Sequence, residues 1–227
     1  MGKKELGIGI VLAVSFIATL GLMMSPIVDG KNFIAYADER FDTYAKHSSY
    51  FIPEIKSEAE KFQSAVSLEI DMKSEESAKE TSMLYADFAE QKGSKVVVNG
   101  KLGDILVLAL YDAEKGYHND ERYFEEKYGM SAKETLYLWH TSLGLIAKKL
   151  EQEQRFEESL FIKTQILMRA IEPAYNFYGL EATPIDIMGG VLLIFYVIYT
   201  LWWGFAIYFI FEGIGIKVKK AKSKKEV

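Results

Sequence analysis

Three histidines, His47, His118 and His140, are the side chains in this chain whose ordinary pKa lies near neutrality. A di-iron site of the ferritin kind needs Glu-x-x-His on two helices. The residues three positions before the histidines are Tyr44, Lys115 and Tyr137, so that pattern is missing. A haem held between His47 and His140 has nothing but residue type in its favour. The segment 118–126, "HNDERYFEE", gathers His118, Asp120 and Glu121 as candidate metal ligands. It lacks the glycine-containing spacing of a calcium loop. Acidic residues at a helix start are expected from the helix dipole alone, so a solvated helix start is the simpler reading.

The chain has no cysteine, which removes disulfides, thiolate zinc sites and cysteine nucleophiles together. It shows no glycine-rich phosphate loop and no Gly-x-Ser-x-Gly elbow. The sequence therefore predicts neither an enzyme nor a bound cofactor.

The elements around these residues are dominated by two uncharged runs, Leu6–Val28 and Ile187–Phe211. A helix of roughly 20 apolar residues crosses a bilayer core, and both runs are long enough. The first has a basic start at Lys3 and Lys4 and is longer than a signal-peptide core of about 7–15 residues. It reads as an uncleaved anchor. Lys3 and Lys4 precede the first run and "KVKKAKSKK" follows the second, while Asp29 and Asp186 mark the other two ends. Basic flanks stay cytoplasmic. The expected layout is a cytoplasmic N-terminus (1–5), a first span (6–28), an extracytoplasmic domain (29–184), a second span (185–211) and a basic cytoplasmic tail (212–227). A double-pass protein of the inner cell membrane is expected.

Residues 29–186 hold 29 Asp+Glu against 19 Lys+Arg, a net charge of −10. An acidic middle argues against nucleic acid as a partner, which needs a basic face. In the tail, Lys217, Lys219, Lys220 and Lys222 could meet anionic lipid heads at about 1 kcal/mol per residue. A plain topology signal is the simpler reading of the same lysines.

The middle domain reads as mainly helical. A helix is expected from Asp38 to Phe51, stopped by Pro53. Over 54–72 the pattern is double: Ile55, Ala59, Phe62, Val66 and Ile70 fit one helical face, while Val66, Leu68, Ile70 and Met72 alternate as in a strand. The polar gap "KSEES" favours the strand, giving a small β-α-β unit over 66–99, with Ser74 capping its helix and "KVVVNG" as its second strand. The competing reading is one long helix over 54–92. Ser131 and Glu134 form a capping box. The helix it opens carries Leu136, Trp139, Leu143, Ile146 and Leu150 on one stripe, with Phe156, Leu160, Leu167 and Ile171 beyond, and is expected to run to Glu172. Thr183, Pro184 and Asp186 read as the N-terminal cap of the second span.

Both spans carry contact patterns. In the first, Gly7, Val11, Val14, Ala18, Gly21 and Ser25 recur at steps of four and three, a small-residue seam that lets another helix approach. In the second, nine of the seventeen residues in 195–211 are aromatic. Phe195, Tyr199, Trp202 and Phe209 form a stripe, and Thr200 and Gly204 a small pair. Tyr199 falls at mid-span, where an unpaired hydroxyl costs a few kcal/mol. The stripe is expected to face protein, with a small hydrophobic ligand or lipid as alternatives. The expected function is a non-enzymatic accessory, scaffold or assembly subunit of a membrane complex. Its partners would be membrane proteins or further copies of itself, with membrane lipid around it. The alternative is an extracytoplasmic sensor or ligand-binding subunit signalling through a partner.

Overall fold

The computed structural model describes residues 2–28 and 30–216. They are mostly helical, with one small sheet, and fall into two compact units: Met1–Phe41 with Ile185–Val227, and Asp42–Pro184.

In the first unit, α1 (Lys3–Met23) and α10 (Ile187–Gly213) are each long and apolar enough to cross a membrane. α1 ends at Met23, short of Val28, because Pro26 has no N–H and pushes Ser25 out of helical geometry. α10 is capped by Asp186 rather than Thr183: the Asp186 carboxylate accepts from Gly189 N at 3.0 Å. The first helix after α1 is α2 (Phe33–Ser48). It starts earlier than expected because the Asn32 side chain accepts from Ala35 N at 2.8 Å and serves as a cap.

The second unit begins within α2. α3 (Ile52–Ala59) follows, with Pro53 in its first turn, so this proline starts a helix instead of ending one. The ambiguous stretch divides. Ile55 and Ala59 bury the helical face, and β1 (Ala65–Asp71) buries Val66, Leu68 and Ile70 while its odd positions stay exposed. α4 (Glu75–Leu84) is capped by Ser74, whose hydroxyl accepts from Ser77 N. A 3₁₀ turn (Ala86–Phe88) then leads into β2 (Ala89–Lys92) and β3 (Lys95–Lys101). The sheet order is β1-β3-β2, all antiparallel. The expected two-strand unit is thus a three-strand sheet, and α4 stops well before Gly93, which sits in the β2–β3 turn at φ 62.

α5 (Leu102–Tyr117) and α6 (Glu121–Tyr128) follow, α6 ending on Gly129 in the left-handed conformation. α7 (Ala132–Gln152) opens on the full Ser131–Glu134 capping box, and Leu136, Trp139, Leu143, Ile146 and Leu150 are all at 0% exposure. α7 does not continue to Glu172. Gln154 adopts φ 62; its N–H bonds Glu151 O, and Arg155 N–H bonds Leu150 O at 2.9 Å. These paired bonds are a Schellman stop. The chain resumes as α8 (Phe156–Phe161), a π-helical stretch (Ile162–Ile171) and α9 (Glu172–Asn176). Pro173 lies inside this run and does not break it. The π turns bond five residues back, which moves aside the carbonyl its ring would strike in an α-helix. Because of the break, Phe156 and Leu160 are 63% and 61% exposed, not core as their spacing suggested.

Candidate functional site

The aromatic stripe of α10 meets a partner within the chain. Phe16 of α1 stacks on Tyr199 at 4.3 Å between ring centroids and lies 4.7 Å from the Trp203 ring. Trp202 Nε1 donates to the Leu12 carbonyl at 3.1 Å. Phe195 packs edge-on against Phe33 and stacks with Tyr199. Glycine lets the helix backbones approach at the other end of the pair. A Cβ on Gly9 would stand 2.6 Å from Ile210 N, and one on Gly213 would stand 2.6 Å from the Leu6 Cα. The contact face of α1 is therefore Gly9 and Phe16, its two buried residues, rather than the seam read from spacing.

That seam lies on another side. Gly7, Val11, Val14, Ala18 and Gly21 are exposed in the single chain, and a Cβ on Gly7 or Gly21 would meet nothing within 4 Å. On α10, Gly204 is equally open, and Thr200 turns its hydroxyl to the Tyr196 carbonyl at 2.8 Å. Phe195, Tyr199 and Trp202 thus belong to the hairpin contact, whereas Gly7, Ala18, Gly21, Thr200 and Gly204 stay uncovered. Lys217, Lys219, Lys220 and Lys222 lie outside the described residues.

The acidic segment is spent on local structure. Asp120 caps α6, accepting from Tyr123 N at 3.3 Å, and takes Lys115 Nζ at 2.9 Å. The Lys115 hydrogen bond holds the Asp120 carboxyl below its usual range. Glu121 accepts from the Tyr178 hydroxyl and from Ala132 N. His118 packs against the Tyr117 and Tyr50 rings. Among the described residues, no three His, Asp or Glu side chains gather in a way that could hold a metal ion.

Two polar centres were not signalled by any motif. Asp112 on α5 is at 0% exposure. Its carboxylate accepts from Tyr123 Oη at 2.7 Å, Tyr128 Oη at 2.8 Å and Trp139 Nε1 at 2.7 Å. Lys127 lies over it at 3.4 Å. Burial, then the neighbouring carboxylate, pushes both tyrosine pKa values far up. Lys46, at 1% exposure, donates to the Leu180 carbonyl at 2.7 Å and to Asn119 Oδ1 at 3.1 Å. Burial lowers its pKa. Asn119 also takes Gly179 N at 2.8 Å and donates to Leu180 O at 2.8 Å, so the two side chains clasp the segment 179–180. Only the partners, far apart in sequence, make these residues special.

A cavity of about 330 Å³ lies where the π-helical stretch gives way to α9. It is lined by Leu136, Tyr137, His140, Ile171, Glu172 and Tyr175, among others, with His140 Nε2 3.2 Å from Glu172 Oε1. The chain matches no protein-family model, no curated protein and no solved structure.

Proposed function

We propose that this protein is a non-enzymatic accessory or assembly subunit of a membrane complex. In this reading it is anchored by the α1–α10 hairpin with both ends cytoplasmic and Asp42–Pro184 outside. The observation that carries it is the division of labour on α1. One side, Gly9 and Phe16, is used up by α10, while the seam Gly7–Ala18–Gly21 is left uncovered. Membrane helices associate through close packing of small residues rather than through hydrophobicity, so an open seam beside a satisfied one suits a further helix. The test is the size of the detergent-solubilised assembly on a native gel. Gly7→Leu with Gly21→Leu should shrink it to the isolated chain, and Val191→Leu with Ile198→Leu should leave it unchanged. An unaltered assembly in the first variant refutes the reading.

The second reading, a sensor or ligand-binding subunit, draws on the His140–Glu172 cavity. Its support is its place at the end of a π-helical stretch, a rare form that recurs at functional sites. A saturable small-molecule effect on the melting of the whole chain, lost in Glu172→Gln, would favour it.

A further inference from the structure

The sheet has an open edge, and three independent features converge there. The first is the hydrogen-bonding parity of β1. Its register with β3 pairs Val66 with Gly100, Leu68 with Val98 and Ile70 with Val96. Just beyond the strand ends, Leu102 N bonds Ser64 O and Met72 N bonds Ser94 O, both at 2.9 Å. In an antiparallel ladder, residues two apart share the same role. The even residues of β1 therefore bond β3, and the backbone groups of Ser67, Glu69 and Asp71 point away from the sheet. Among the described residues, nothing takes the N–H or C=O of Ser67 or Glu69 on that side. The edge is closed only at its start, where Arg155 Nη1 donates to the Ala65 carbonyl at 3.2 Å.

The second feature is a cleft at that start. It measures about 860 Å³ and is lined by Phe62, Phe156, Phe161, Ser64 and Arg155, among others. Phe62 and Phe161 lie 4.6 Å apart, and Phe156 stands 63% exposed beside them. Arg155 is fixed by two bonds to Glu158, at 2.6 and 2.7 Å, so the floor of the cleft is built rather than loose. The third feature is charge. Asp71 stands on the exposed face of β1, next to Glu69, which Lys95 of β3 already holds at 2.5 Å; Glu58 and Glu157 line the cleft together with Lys61, in a stretch of chain that carries a net of −10 over residues 29–186.

The geometry points to β1 as a docking edge for an extended, basic segment of a partner protein. The segment would add a fourth strand to the sheet and place an aromatic side chain in the Phe62–Phe156–Phe161 cleft. Main-chain bonds to Ser67 and Glu69 would give affinity. Lysine or arginine opposite Asp71 would give charge matching across strands, and one opposite Glu69 would share that carboxylate with Lys95. On the inner face, apolar residues would continue the row of Val66, Leu68 and Ile70. The occupant is thus an alternating apolar–basic strand with an aromatic end. This edge lies on the middle unit and goes beyond the helix seam proposed above; neither depends on the other.

The test uses the full chain in detergent and a labelled short peptide alternating valine and lysine, ending in phenylalanine. Binding is followed by fluorescence anisotropy. Saturable binding is expected. N-methylation of the peptide at alternate residues, on one side of the strand, should weaken it by at least about tenfold, because several ladder bonds are removed at once. A glutamate-for-lysine peptide should not bind. Ser67→Pro removes an outward N–H and no ladder bond, a position where an edge strand tolerates proline, and should lower affinity similarly. Phe156→Ala changes an exposed side chain, so the fold survives, and it too should weaken binding. The proposal is overturned if the unmodified peptide fails to bind, if N-methylation on neither side of the strand weakens binding, or if Ser67→Pro and Phe156→Ala bind like the parent. Concentration-dependent dimerisation abolished by Ser67→Pro also overturns it, since the edge would then belong to a second copy.

Discussion

At the scale of single residues, the most consequential group is one that no motif announces. Asp112 sits in "ALYDAEKG", where it resembles any polar position on a half-buried helix. Its three partners come from α6 and α7 and become neighbours only when three helices pack. Removing a buried carboxylate leaves two phenols and an indole N–H without an acceptor. Asp112→Ala should therefore cost about 3–5 kcal/mol, in the range for breaking a buried charged network, measured by urea unfolding of the chain in detergent. The tyrosines make the fold alkali-sensitive, and the sign follows from linkage. Burial and the Glu114 bond push Tyr50 up to about 12, and Tyr123 and Tyr128 rise further. Unfolded tyrosine loses its proton near 10. Between about pH 10 and 12 the folded state binds more protons than the unfolded state, so stability present below 10 is lost as pH rises. The melting temperature should fall through that window. It should fall less steeply in Asp112→Asn, where burial still raises Tyr123 and Tyr128 but the charge beside them is gone.

At the scale of elements, local chemistry was legible and its interruptions were not. The Ser131–Glu134 box and the Ser74 cap each work through side chains within a few residues, and each stands where its sequence signal placed it. The end of α7 was invisible because its left-handed residue is Gln154, where glycine or asparagine is usual. The apolar spacing runs straight through the break, which places Phe156 and Leu160 on the wrong side. β2 leaves no signal in the sequence because "AEQK" has little strand preference of its own; the Gly93 turn and the partner β3 supply its conformation. Two predictions belong here. Gln154→Gly relieves the positive φ and should stabilise the middle unit by about 0.5–1 kcal/mol, given the left-handed penalty for a residue with a Cβ, measured as a raised denaturant midpoint. Gly9→Leu should force α1 from α10, because its Cβ alone falls 2.6 Å from Ile210 N. Cysteines placed at Phe16 and Tyr199, whose rings stack at 4.3 Å, should then be bridged less efficiently by a short bifunctional reagent than in the Gly7→Leu background, where nothing blocks the side chain.

At the scale of the whole molecule, the hydropathy of two segments and the charge around them set the expectations. Asp42–Pro184 carries its own core, from Ile52 in α3 to Ala174 in α9, with Trp139 and Leu136 at its centre. It begins at Asp42, inside α2, later than the start at 29 expected from the end of the first apolar run, and it ends at Pro184. The fragment 42–184 should fold when expressed alone, with a cooperative melt and a predominantly helical circular dichroism spectrum containing a minor strand signal. A non-cooperative melt would mean that its core is completed from elsewhere.

The orientation prediction rests on charge alone and can be tested without any structure. The positive-inside bias counts Lys and Arg near the ends of the spans. On one side stand Lys3, Lys4 and the six lysines between 217 and 225; on the other, Asp29 and Asp186 adjoin the runs. Two spans return the chain to the side from which it started, so a single charge asymmetry has to satisfy both ends, and here it does. A reporter fused after Val227 should read as cytoplasmic, and one inserted at Gly116, in the last turn of α5, as external. Replacing the six C-terminal lysines with glutamate removes most of the asymmetry and leaves Lys3 and Lys4 alone. A mixture of orientations is then expected, with part of the population exposing Val227. If the parent already reads external at Val227, the extracytoplasmic placement of Asp42–Pro184 is wrong, and the exposed edge of β1 faces the cytoplasm instead.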